Sequence, residues 1–175
     1  MSFDRPRDLL YIGRPVPEKG LSDLLAALQA INDLPWGLSV AGELPEPSQS
    51  TGDPRISCLG RVPHHEVAAL MQHHDVLVVP SRYETFGNIA LEGLAVSMVV
   101  VAARTGGLKS LITSGWNGFL FNPGDVADLA RTLRFVLTHF ARLDFAQHNA
   151  RRTALLYSWE GVAAATARLL RTLIR

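Results

Sequence analysis

The stretch Val76-Leu77-Val78-Val79-Pro80 decides the fold of this chain. Four consecutive apolar residues closed by a proline are typical of a parallel strand buried on both faces, because a half-exposed strand would alternate apolar and polar residues. A strand of this kind needs helices above and below it. The segment therefore predicts an α/β fold built on a parallel sheet.

Outward from this segment, short apolar runs alternate with helical patterns along the chain. The apolar residues between Leu21 and Ile31 recur at three- and four-residue spacing, which predicts a helix that stops near Pro35, and Asp125 stands where it would cap a later helix. The tail from Arg142 is predicted to be helical, with a break near residues 157–158. The predicted strands lie at residues 9–13, 38–41, 56–60, 76–79, 99–102 and 118–121.

This alternation, with short connections, predicts a single doubly wound, Rossmann-like parallel sheet of about six strands with helices on both faces. One domain over residues 1–175 is expected. The formal net charge of +1 and the absence of a basic run argue against a nucleic-acid partner. The single cysteine, Cys58, and a start without an apolar core indicate a cytoplasmic protein without a signal peptide.

The candidate site follows from the predicted topology. In a doubly wound sheet ligands bind beyond the carboxyl ends of the strands, where the strand order reverses. For the order 3-2-1-4-5-6 the loops 13–20 and 80–88 meet there. Arg14 follows Gly13 at the end of the first strand, and Lys19 is predicted to open the first helix, where a cation opposes the helix dipole. Two such cations indicate a bound anion such as phosphate, although exposed surface cations explain them equally well.

The second loop carries a glycine and two acids nearby. Gly87 allows a ligand to approach the backbone closely, and the helix predicted to begin near Asn88 offers free N–H groups. Glu92 lies about one turn into that otherwise apolar helix, so its carboxylate needs a partner, for which ribose hydroxyls are suitable. Glu84 lies in the loop, where a solvated carboxylate without a binding role is the simpler interpretation. Gly106-Gly107 reaches the same edge of the sheet, although such pairs are usually only turns.

Other chemistries lack their motifs. The chain has no Gly-x-Gly-x-x-Gly and no Gly-x4-Gly-Lys-Ser/Thr, which disfavours dinucleotide oxidoreductases and P-loop NTPases. No nucleophile elbow surrounds Ser81 or Ser97. The histidines at 64, 65, 73 and 74 lack the His-Glu-x-x-His pattern, so no metal site is predicted.

A set of motifs occurs in a fixed order along nearly the whole chain. They are Gly13-Arg14 with Glu18-Lys19-Gly20, Leu59-Gly60-Arg61-Val62-Pro63, Asp75 to Ser81, Glu84-x7-Glu92, Gly106-Gly107, Asn117-Gly118 and Tyr157-Ser158-Trp159-Glu160. This ordered set resembles the carboxyl-terminal domain of the GT-B glycosyltransferases of family GT4. The resemblance implies a retaining transferase that moves a hexose from a nucleotide-diphosphate sugar to an acceptor, without a metal or another cofactor.

The resemblance also implies roles for individual residues. Arg14 and Lys19 bind the donor diphosphate and stabilise the negative charge of the leaving group, and Glu84 contacts hydroxyls of the donor sugar; these three are the implied catalytic residues. Glu92 binds the ribose hydroxyls. The other implied donor-binding residues are Gly13, Thr85, Phe86, Gly87, Asn88, Gly106 and Gly107, with Leu108 lining the same cleft.

The family has two such domains, and this sequence is expected to supply only the donor-binding one. Activity would then need an amino-terminal glycosyltransferase half or partner chain, and peripheral membrane association would come through that half. Because the last helix of the family crosses onto that domain, an exposed apolar patch is expected here. Its predicted members are Trp159, Val162, Leu169 and Leu173.

The sequence departs from the family pattern at three places, of which the first two favour an alternative and the third concerns recognition of the base. Val96-Ser97-Met98-Val99 replaces Cys/Ser-Gly-x-Pro, Gly106-Gly107-Leu108-Lys109-Ser110 lacks the usual acid, and the segment 43–55 is short for a helix that the family often has. The alternative is a non-catalytic, degenerate module that binds a nucleotide sugar or a partner protein.

Overall fold

A six-stranded parallel sheet organises the part of the chain that the computed structural model describes, residues 5–42 and 52–173. The spatial order is β3-β2-β1-β4-β5-β6, and every neighbouring pair is parallel. Both the α/β class and the predicted strand order are confirmed. The strands are β1 (Arg7–Ile12), β2 (Trp36–Ala41), β3 (Ile56–Gly60), β4 (Val76–Val79), β5 (Val99–Ala103) and β6 (Phe119–Phe121).

Helices cover both faces of this sheet. They are α1 (Leu21–Gln29), α2 (His64–Gln72), α3 (Asn88–Ala95), α4 (Leu108–Leu111), α5 (Val126–His139), α6 (Asp144–Leu155) and α7 (Trp159–Leu173). Apolar residues of α1 and α5 form the core on one face, and those of α2, α3, α4 and α6 form the core on the other. Asp125 caps α5 as predicted, since its carboxylate accepts a hydrogen bond of 2.8 Å from the amide of Asp128.

Strand β4 joins the two cores. All four of its residues are buried. Val76 and Val78 face the core with α1 and α5, whereas Leu77 and Val79 face the core with α2 and α3. The residues of β4 are therefore all apolar because the strand is buried on both faces, as the sequence predicts.

The first helix is shorter than predicted, and Lys19 does not open it. Lys19 ends a 3-10 turn that begins at Pro17, and α1 starts only at Leu21. Gly20 separates the two with a left-handed backbone, at φ 69°. This conformation costs a glycine little and other residues about 1–2 kcal/mol, so the glycine sets the boundary. At its other end α1 stops at Gln29, well before Pro35, and the segment 30–34 continues in turns.

Helix α7 has no buried residue, and its apolar side chains are exposed. Trp159 is 86% exposed and Leu173 is 72% exposed, with Val162 and Leu169 between them also open to solvent. The predicted apolar patch is confirmed. Among the described residues, no helix combines the length and the apolar character that crossing a bilayer requires. Most of the segment 43–55 lies outside the described residues.

Ser97 has a conformation that suits glycine. It follows α3, where the family pattern places a glycine, and its φ is 64°, the left-handed region. Glycine would remove a conformational cost of about 1–2 kcal/mol there. It would also increase the conformational entropy of the unfolded chain, which lowers the free energy of unfolding by about 0.4–1 kcal/mol. The sequence departure at this position therefore leaves the backbone turn in place.

We expect Ser97→Gly to raise the free energy of unfolding by about 0.5–1 kcal/mol, because relief of the strain exceeds the added freedom of the unfolded chain. Urea unfolding followed by circular dichroism measures the change. Ser57→Gly in exposed β3 is the control, and we expect it to destabilise the chain. Equal destabilisation by the two variants would contradict the assignment of strain to Ser97.

Candidate functional site

The loops that follow β1 and β4 meet at the point where the strand order reverses. β1 and β4 are neighbours in the sheet, so both loops leave the same edge. The amide of Arg82 donates a hydrogen bond of 2.8 Å to the carbonyl of Glu18. Gly20 lies so close to Pro80 that a Cβ would overlap the Pro80 carbonyl oxygen. The two loops therefore form one surface, as the topology predicts.

A cation from one loop pairs with an acid from the other. The Lys19 Nζ donates to the Glu84 Oε2 at 2.7 Å. The side chains are 27% and 14% exposed, so the pair is partly buried in a groove between the two loops and does not lie on an open surface. A solvated loop acid therefore does not describe Glu84. The groove holds a cavity of about 230 Å³, lined by Arg14, Val16, Glu18, Lys19, Tyr83, Glu84 and Thr85.

Arg14 connects this cavity to a second one. The second cavity has a volume of about 430 Å³ and lies over the ends of the first three strands. Its walls are Ile12, Gly13, Arg14, Pro15, Ala41, Gly42, Arg61 and Val62. Arg61 and Val62 belong to the motif Leu59-Gly60-Arg61-Val62-Pro63, which by itself indicates no role for them. Their position after the third strand was the available signal, because its carboxyl end lies at the same edge of the sheet.

Tyr11 supports the Arg14 loop from below. Its side chain is buried in β1, and its hydroxyl donates a long hydrogen bond of 3.4 Å to the carbonyl of Arg14. Burial raises the pKa of Tyr11 to about 12, so the hydroxyl keeps the proton that it donates. A Cβ on Gly13 would lie 2.6 Å from this hydroxyl oxygen. A larger residue at position 13 would therefore require the Tyr11 side chain to shift.

Gly106 and Gly107 press against the backbone of the Glu84 loop. The amide of Gly107 donates to the carbonyls of Glu84, at 3.2 Å, and Thr85, at 3.1 Å. A Cβ on Gly106 would overlap the Glu84 carbonyl oxygen. The two glycines therefore do more than form a turn, because they let this loop pack directly against the backbone of the Glu84 loop. The Leu108 side chain is fully buried beneath Gly87, so the expectation that it lines the cleft is wrong.

The start of α3 carries the remaining predicted residues. Gly87 precedes the helix at φ 96°, Asn88 is exposed, and the ring of Phe86 meets that of Tyr157 at a centroid distance of 5.9 Å. Glu92 is half-buried one turn into the helix. Across residues 5–42 and 52–173 its carboxylate makes no hydrogen bond or ion pair, so the partner that its position calls for is not another residue there.

The charges of the site suit an anion with hydroxyl groups. Arg14 and Lys19 supply positive charge, and Glu84 supplies acceptors beside them. Within the described ranges, no three His, Cys, Asp or Glu side chains are grouped as ligands of a metal ion. The independence of donor binding from a metal stays a prediction.

Comparison with known proteins assigns the chain to a family. Residues 6–139 match the family model described as "Glycosyl transferases group 1". The chain belongs to the group 1 glycosyltransferases. The glycogen synthase of Mycobacterium tuberculosis is 35% identical to it over 174 residues, which cover 94% of this chain and 42% of that protein. The chain spans less than half the length of the curated group 1 relatives that it matches.

Two solved structures show the same fold. The C-terminal domain of the group 1 glycosyltransferase LpcC from Francisella tularensis has a TM-score of 0.76 at 20% identity, with 87% of both chains covered. Anabaena HepE, solved in complex with UDP and glucose, has a TM-score of 0.80 at 23% identity, covering 97% of this chain and 48% of that one. These matches confirm the resemblance to a GT-B carboxyl-terminal domain.

We expect Gly20→Ala to destabilise the chain more than Gly60→Ala. Both glycines have nearly the same backbone, with φ 69° and 65°, so the conformational cost of alanine is alike. Only at Gly20 does the new methyl group meet another backbone, at Pro80. The extra loss in the free energy of unfolding should be about 1–3 kcal/mol, as for other overpacked sites. Urea unfolding of the two variants checks it, and equal losses would contradict the close contact.

Proposed function

We propose that this chain is the donor-binding half of a retaining glycosyltransferase. It takes a hexose from a nucleotide-diphosphate sugar and transfers it to an acceptor that another half holds. The Lys19–Glu84 pair beside Arg14 carries the proposal, because it combines positive charge for a diphosphate with acceptors for sugar hydroxyls in one partly enclosed groove. Membership in the group 1 family supports the same activity.

The two cations stabilise the leaving group. When the bond between the anomeric carbon and the β-phosphate oxygen breaks, the diphosphate gains negative charge. Arg14 and Lys19 offer charge-assisted hydrogen bonds to it, and the ion pair with Glu84 fixes the Lys19 ammonium in place before the reaction. The ammonium of Lys19 has three donors, so it can keep its bond to Glu84 and still bind phosphate. The Glu84 carboxylate accepts hydrogen bonds from hydroxyls of the sugar.

The second cavity is our proposed place for the nucleoside. Arg14 lines both cavities, so a diphosphate bound to it reaches from one into the other. Apolar side chains of Ile12 and Val62 and the exposed guanidinium of Arg61 border the space for a base. We assign the ribose to Glu92, whose half-buried carboxylate needs hydroxyl donors. The Anabaena complex with UDP and glucose supports a ligand of this class on this fold.

The backbone at the start of α3 completes the proposed donor site. Phe86, Gly87 and Asn88 present main-chain groups and free helix N–H donors to the sugar and phosphate. Gly106 and Gly107 hold the Glu84–Thr85 segment from the other side. No residue of this set supplies an acceptor site, so we assign the acceptor to an amino-terminal half. The short coverage of the relatives and the open apolar face of α7 support that assignment.

One observation favours the alternative of a degenerate binding module. Ser110 stands where the family pattern has an acid, and Lys109 where it has a proline, on an exposed turn of α4 that follows the Gly106-Gly107 contact with the Glu84 loop. A loss of sugar contacts there would leave binding without transfer. Adding a purified amino-terminal half of a group 1 relative to the chain separates the two functions. Recovered transfer supports the enzyme, and nucleotide-sugar binding without transfer supports the module.

We expect the chain to bind UDP-glucose, and Lys19→Met and Arg14→Met each to weaken binding about 10- to 100-fold. The loss corresponds to about 1.5–3 kcal/mol, the usual worth of a hydrogen bond to a charged group. Glu84→Gln should weaken the binding of UDP-glucose more than the binding of UDP, because UDP lacks the sugar whose hydroxyls the Glu84 carboxylate accepts from. Isothermal titration calorimetry with both ligands measures these changes.

Arg131→Met is the control for these variants. It removes the cation of another ion pair, with Asp128 at 3.1 Å on α5, and should leave affinity unchanged. A chain that binds neither UDP-glucose nor its GDP and ADP counterparts at millimolar concentration would refute the proposed donor site.

A further inference from the structure

A second ion pair joins the same two segments as the Lys19–Glu84 pair. Asp23 lies on the buried side of α1, and its side chain is only 8% exposed. The Arg82 guanidinium donates to both of its carboxylate oxygens, from Nε at 2.9 Å and from Nη2 at 2.8 Å. This two-point geometry fixes orientation as well as distance.

The backbone of Arg82 is also held from two sides. Its amide donates to the carbonyl of Glu18, at 2.8 Å, and its carbonyl accepts from the Thr105 hydroxyl, at 3.3 Å. The loop after β1, the start of α1 and the loop after β5 therefore all contact one residue. That residue is two positions before Glu84.

We infer that Asp23 and Arg82 are positioning residues that hold the Glu84 loop where Lys19 reaches the Glu84 carboxylate. Asp23 is four residues after Lys19, and Arg82 is two residues before Glu84, so both ion pairs span the same gap between the same segments. The inference rests on the proposed function, because it makes the geometry of the donor site depend on a pair outside both cavities.

The location of the acid supports this role. A carboxylate that is nine-tenths buried costs free energy unless it is hydrogen-bonded, and an alanine or leucine would suit the packing of α1 better. Arg82 is 52% exposed, so it contributes little burial of its own. The pair therefore joins α1 to the Glu84 loop, and the buried carboxylate depends on Arg82 for its hydrogen bonds, which fixes the placement of residues 82–84.

Another arginine–aspartate pair provides a matched control. Arg134 of α5 donates to both oxygens of Asp33, at 2.7 and 2.6 Å. This pair is also two-pointed, through Nη1 and Nη2, but it joins α5 to the turn after α1 and touches neither loop of the candidate site. Asp33 is 58% exposed, so changing it removes a two-point ion pair at the surface without disturbing the Glu84 loop.

Two measurements on the full chain test the inference. Hydrogen–deuterium exchange of peptides covering residues 80–87 reports the loop, and calorimetry with UDP-glucose reports the site. Asp23→Asn and Arg82→Gln should each speed exchange in 80–87 at least 10-fold and weaken UDP-glucose binding at least fivefold. Arg82→Lys keeps the charge but cannot donate to both Asp23 oxygens as the guanidinium does, so it should give an intermediate loss of affinity. Asp33→Asn should change neither quantity.

A double variant separates positioning from general damage. If Asp23 acts through Glu84, then Asp23→Asn adds no further loss of UDP-glucose affinity in the Glu84→Gln background. Additive losses, or unchanged exchange in 80–87, would overturn the inference. Because Arg82 is exposed, Arg82→Gln should fold even where a change at buried Asp23 does not. A wild-type chain that binds no nucleotide sugar refutes the proposed function instead, while the exchange data still decide whether the pair holds the loop.

Discussion

The close contact between Gly20 and the carbonyl of Pro80 is the constraint on which the candidate site depends. It allows the start of α1 to lie directly against the end of β4, without a side chain between the two backbones. Lys19 precedes this contact by one residue, and Glu84 follows it by four, so the two charges meet because the backbones do. The Asp23–Arg82 pair then ties the same segments on the other side of the contact.

Local sequence patterns predict much of the architecture. The apolar run of β4, the helical spacing of α1 and the order of strands require only hydrophobic periodicity and the handedness of crossovers. From these it follows that loops 13–20 and 80–88 adjoin. The sequence also indicates that a charged group at Glu92 is unusual, and the structure leaves that carboxylate without a partner among the described residues.

What the sequence did not reveal depends on contacts between distant segments. Helix α1 begins at Leu21 and not at Lys19 because the backbone of Gly20 is left-handed, and Gly20 lies where Pro80, sixty residues away, leaves no room for a side chain. Asp23 looks like an ordinary polar position of a helix until Arg82 is placed beside it. Ser97 shows the opposite case, because a changed residue keeps the family's backbone turn at a local cost. Secondary-structure propensity can be estimated for each segment alone, whereas a close contact depends on two segments that are distant in the sequence.

The exposure of Trp159 on α7 gives the protein a natural optical reporter. The chain has three tryptophans, and they differ in surroundings: Trp36 is 3% exposed, Trp116 is 44% exposed and Trp159 is 86% exposed. Indole emission moves to shorter wavelength when water leaves the ring. Trp159 is the most exposed of the three, so covering α7 would produce a blue shift without any change in the circular dichroism of the core, and no external label would be needed to see it.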